Sequence, residues 1–103
     1  MDGKVISLFA VKKVEVLKPR WTAVYRELHR VDLLWEFCQV QEEAKKEGMS
    51  DEFLIRGLVI CGLLAETCVT PEMRDLSHSY GRMLLLEALA RGMPWNDPYL
   101  NHP

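Results

Sequence analysis

Between residues 21 and 38 the apolar positions alternate in steps of three and four: Trp21, Val24, Leu28, Val31, Trp35 and Cys38. That period is the seam of a helix making a coiled-coil-like contact. Tyr25, Leu34 and Phe37 widen the seam beyond one face. Pro19 suits a first helical turn, where its missing N–H costs nothing. Past Val40 the run Gln-Glu-Glu-Ala-Lys-Lys-Glu is a solvated end, and Gly48 stops it. The pattern predicts a first helix over 19–47, about 40 Å long at 1.5 Å per residue.

Two further helices are marked by their punctuation. Ser50 is a capping residue, and Asp51 and Glu52 favour the positive end of a helix over 51–67. Thr70-Pro71-Glu72 is a second start, and Arg91-Gly92 followed by Pro94 a second stop, predicting a helix over 71–91. The segments left over are an N-terminal arm, 1–18, and a C-terminal arm, 92–103. In the first, Val14-Glu15-Val16 alternates as a strand does. The expected fold is all-α: one three-helix domain with a long first helix and extended N- and C-terminal arms.

The helix over 51–67 is apolar around almost its whole circumference, from Phe53 to Ala65. Such a helix is buried on all sides, and two neighbours cannot enclose it: either the arms fold over it or a second subunit does. The helix over 71–91 likewise spreads Leu85, Leu86 and Leu89 around its second half. A homo-oligomer is therefore expected, with Leu58, Ile60, Leu85, Leu86 and Leu89 as self-association residues.

Composition bounds the class. A chain of 103 residues, 49% apolar and 27% charged, makes one globular domain and is not disordered by default. Cys38, Cys61 and Cys68 are odd in number, lie in apolar runs and form no CxxC pair. They read as buried thiols rather than disulfides or a zinc site. No secretory signal or confident membrane span is apparent, so a cytoplasmic protein is expected.

Net charge is −2, but it is unevenly spread. Residues 1–30 carry seven Lys/Arg against three Asp/Glu, and residues 31–52 carry two against seven. Opposite patches on a small body suit partner contacts. Arg20, Arg26 and Arg30 of the basic end are candidate partner-binding residues. So are Trp95, Tyr99 and Leu100 of the C-terminal arm, where prolines limit the entropy cost of docking and aromatics serve as anchors; the alternative is that Trp95 and Tyr99 fold back and cap the domain's own core.

Catalytic signatures are missing. Ser77-His78-Ser79 sets a nucleophile type beside a base, but neighbouring helical residues point about 100° apart. The carboxylate pairs Asp32/Glu36 and Glu43/Glu47 lack the Glu-x-x-His pattern of di-metal bundles. No phosphate loop, nucleophile elbow or dinucleotide fingerprint occurs. The function expected is a non-catalytic protein-binding module, a regulator, inhibitor or assembly factor that covers a partner protein's surface, with no cofactor or metal. The competing reading is a nucleic-acid-binding regulator. It would use the basic N-terminal third, or the helices over 51–67 and 71–91 as a helix-turn-helix.

Overall fold

A computed structural model describes the backbone of residues 2–67 and 70–96, and side chains from Phe9 onward within that range. These residues form four helices: α1 (Asp2–Arg26), α2 (Arg30–Glu47), α3 (Asp51–Thr67) and α4 (Pro71–Ala90). No strand occurs among them. The all-α class is observed, with four helices in place of three. No helix among the described residues is long and apolar enough to cross a membrane.

Two corrections produce the fourth helix. The segment expected as an extended N-terminal arm is helical and runs without a break into residues 19–26, so Pro19 lies inside α1. The reason is a stripe that crosses the proline: Ala10, Val14, Leu17, Trp21 and Tyr25 all pack into the core. An interior proline costs about 3 kcal/mol, and several buried apolar side chains outweigh it. The second correction is a break in the expected 19–47 helix. Glu27 N–H and Leu28 N–H donate to the carbonyls of Val24 and Tyr25 at 3.4 and 3.1 Å, closing a tight turn. His29 is then extended at φ −70°, ψ 160°, and α2 starts in a new direction.

The other helix ends obey local chemistry. Ser50 Oγ accepts from the Phe53 N–H at 3.1 Å, and Thr70 Oγ1 accepts from the Met73 N–H at 3.4 Å. Gly48 closes α2 at φ 89°. After α4, Gly92 adopts φ 76°. Its N–H donates to the Leu89 carbonyl, while the Met93 N–H donates to that of Ala88. This is the paired bonding of a Schellman stop, with Met93 tucked beneath it.

α3 is the axis of the domain. It contacts α1, α2 and α4, and Leu54, Ile55, Leu58, Ile60 and Cys61 are wholly enclosed. Trp95 adds to its cover from the C-terminal side at 5% exposure, together with Met93. A single chain therefore encloses α3. Leu58 and Ile60, expected at a self-association surface, lie inside one subunit, and Leu85 is also buried. Leu86 and Leu89 are exposed.

Small residues bring α4 close to α3. Ser77, Gly81 and Ala88 are buried on its inner side. Across the interface, a Cβ added to Gly57 would stand 2.9 Å from Leu84 Cδ1.

Candidate functional site

Charged side chains partition into those that tie helices together and those that face solvent. Arg56 of α3 sits at the centre of the first group. Its Nε donates to the Tyr25 hydroxyl at 2.8 Å and its terminal nitrogen to Glu36 Oε2 at 3.3 Å. The Tyr25 hydroxyl donates in turn to Glu36 at 3.4 Å. The guanidinium also lies 4.4 Å from the centre of the Trp21 ring, which stacks on Tyr25. One arginine thus joins α1, α2 and α3. Burial pushes the Tyr25 hydroxyl above its ordinary range, against the opposing pull of Arg56. This closed cluster is a structural junction.

A second junction holds the start of α3. Asp51 accepts from Lys13 at 2.7 Å and from Arg91 at 2.8 Å, and Arg91 also donates to Glu87 at 2.8 Å. The Lys13 bond, then the Arg91 bond, hold the Asp51 carboxyl below the usual carboxylate range.

The expected partner-binding residues separate on folding. Trp95 is in the core, with Lys18 Nζ 4.4 Å from its ring centre. Tyr99 and Leu100 lie outside the described residues. Arg20 is exposed on α1. Arg26 pairs with Glu66 at 3.6 Å. Arg26 and Arg30 do come together, with His29, around a cavity of about 340 Å³ at the α1–α2 turn. A neighbouring cavity of about 200 Å³ runs between Lys18, Arg26, Gly62 and Trp95. Lys13, Lys18 and Arg26 of the basic end are thereby engaged within the domain.

No catalytic constellation assembles among these groups. Ser77 is buried while Ser79 is exposed, so the two hydroxyls flanking His78 share no cleft. Among the described residues no group of three or more His, Cys, Asp or Glu is placed to hold a metal ion. Cys61 is buried, whereas Cys38, expected inside, is exposed; Cys68 lies outside the described residues.

The exposure of Cys38 belongs to a larger reversal. α2 turns Leu33, Val40 and Phe37 toward the core. The α2 part of the seam of alternating threes and fours therefore points outward, although Trp21 and Leu28 of the same series pack against the core: Val31 is 75% exposed and Trp35 62%. Asp32, Glu42 and Glu43 stand exposed on the same helix. The result is a turn-spaced apolar ridge on an acidic helix, with a tryptophan at its middle. Sequence periodicity marks these residues, but it cannot tell a ridge that faces the core from one that faces water.

No protein-family model matches the chain, and no curated protein or solved structure matches it significantly.

Proposed function

We propose that the protein is a non-catalytic binding module, a small regulator, inhibitor or assembly factor, whose α2 ridge docks into an apolar pocket on a partner protein. The observation that carries this reading is Trp35, a large aromatic left 62% exposed between Val31 and Cys38 at helical spacing. Tryptophan is costly to leave in water and is enriched among residues that dominate binding energy. The acidic surroundings select the partner's chemistry: an apolar pocket rimmed by Lys or Arg. A cytoplasmic location is part of the same proposal.

The cluster of Arg26, His29 and Arg30 supports nucleic acid as a second reading. It is the weaker one, because α2 is acidic and much of the basic end is already bonded within the domain.

Trp35→Ala tests the first reading. It should weaken binding to a stoichiometric protein partner by about 30-fold, the equivalent of ~2 kcal/mol for an anchor residue. Helicity and melting should stay unchanged. Partner affinity indifferent to Trp35 would remove the ridge from the argument. Salt-sensitive binding to heparin lost in an Arg26→Ala, Arg30→Ala double variant would favour nucleic acid.

A further inference from the structure

The cavity of about 340 Å³ at the α1–α2 turn has the size of a small-molecule site. Leu28, Leu33 and Leu63 make part of its lining apolar, and Arg26, His29 and Arg30 complete it with cations or a titratable ring. No described carboxylate lines it, in a chain where Asp and Glu outnumber Lys and Arg by 15 to 13. Glu27 and Asp32, its neighbours in sequence, are exposed and outside the lining. Glu66 reaches Arg26 from the adjoining cavity at 3.6 Å, with both side chains partly in solvent, and such a contact holds a guanidinium only weakly. The two hydroxyls on the wall are engaged: Tyr25 donates to Glu36, and Thr67 to the Leu63 carbonyl. The guanidiniums are therefore what the cavity offers to the polar end of a ligand.

We propose that this cavity binds a small amphipathic anion, a carboxylate or phosphate ester whose apolar body lies against the three leucines while Arg26 and Arg30 hold its charged end. Each guanidinium presents a planar fork of donors that matches a carboxylate or phosphate with two parallel bonds. An inorganic anion leaves the leucines in water, and an uncharged apolar molecule makes no use of the guanidiniums. Only a molecule apolar at one end and anionic at the other uses both parts of the lining. A nucleic-acid strand needs a row of phosphate contacts along a surface, whereas here the cations gather around a hollow with leucine in its wall. The lining comes from the end of α1, the start of α2 and the second half of α3, so a bound molecule ties the α1–α2 turn to the central helix and stabilises the fold.

Titration calorimetry on the full chain tests it with octanoate and phenyl phosphate as probes. The controls are 1-octanol and inorganic phosphate, each lacking one half of the chemistry. At low salt octanoate or phenyl phosphate should bind one per chain, the tighter of the two naming the charged group. Either control should bind more weakly by about tenfold or more. Arg26→Gln combined with Arg30→Gln should weaken probe binding by about tenfold or more, because it removes both charge-assisted contacts. Circular dichroism should be unchanged, since both side chains are exposed. Trp35→Ala should bind the probe as the parent does, which separates this cavity from the α2 ridge. Failure to bind either probe, equal binding of a control, affinity indifferent to the arginine pair, or binding lost with Trp35 would each overturn the proposal. Heparin binding that depends on the two arginines, with neither probe bound, would overturn it in favour of nucleic acid.

Discussion

α3 and α4 both carry more apolar surface than a single helix contact needs, yet they end in opposite surroundings. α3 is enclosed by α1, α2, α4 and Trp95, and its leucines at 54 and 58 have no exposure. α4 touches α3 along a side built from Ser77, Gly81, Leu85 and Ala88, and leaves Leu76, Met83 and Leu86 in water. α3 is apolar on every side and has neighbours on every side, whereas α4 is more polar and still keeps large apolar residues on a side where it has no neighbour among the described residues. An apolar helix at the centre of a bundle is explained by folding, whereas an apolar outer face on a peripheral helix is unexplained until something covers it.

The sharpest way to break that contrast is one substitution in each helix. Leu58→Asp should abolish folding, because an unpaired buried carboxylate costs several kcal/mol against a total stability of about 5–15 kcal/mol. Leu86→Asp should leave the fold within about 0.5 kcal/mol of the parent when both are measured as monomers. Chemical denaturation followed by circular dichroism reads both. Comparable losses in the two variants would mean that α4 is as enclosed as α3.

A smaller effect tests how α3 is covered on its C-terminal side. Trp95→Ala should cost about 3 kcal/mol, the lower end for truncating a core aromatic. In a domain of this size that lowers the melting temperature by roughly 12–24 °C. A melting temperature within a degree or two of the parent would return Trp95 to the surface.

The smallest effect concerns the ties at the start of α3. Asp51 has a folded pKa below its unfolded value. Its stabilisation is therefore present above the unfolded value of about 3.9 and is lost as pH falls through the lower folded value. Asp51→Asn should melt below the parent at neutral pH, and the gap should close in the acid range below about pH 4. A gap independent of pH would show that Lys13 and Arg91 do not act through the Asp51 charge.

Helix boundaries with a local chemical cause are legible in the sequence. Ser50, Thr70-Pro71 and Gly92 each satisfy or terminate backbone bonding within a few residues, so their effect can be read from neighbours in the chain. The turn at Glu27–His29 has no such cause. No glycine or proline stands there, and the apolar spacing from Val24 through Leu28 to Val31 runs straight through it. Pro19 misleads in the opposite direction. A helix start is its preferred place, yet the stripe from Ala10 to Tyr25 continues across it. The ridge at Val31, Trp35 and Cys38 is visible as a pattern, but its spacing alone suggests a buried seam where the structure exposes one.

By itself the sequence determined the all-α class, the caps, the limits of the last two helices and the central place of a helix apolar on every side. These depend on backbone hydrogen bonding and side-chain period, which act over one or two turns. Only the tertiary structure decided that the chain folds back at Leu28 and that Trp95 closes the core. It alone turned the seam of α2 and the second face of α4 outward. A helix with two apolar faces can bury either one. The choice depends on which face finds α3, and contacts between residues distant in the chain settle it.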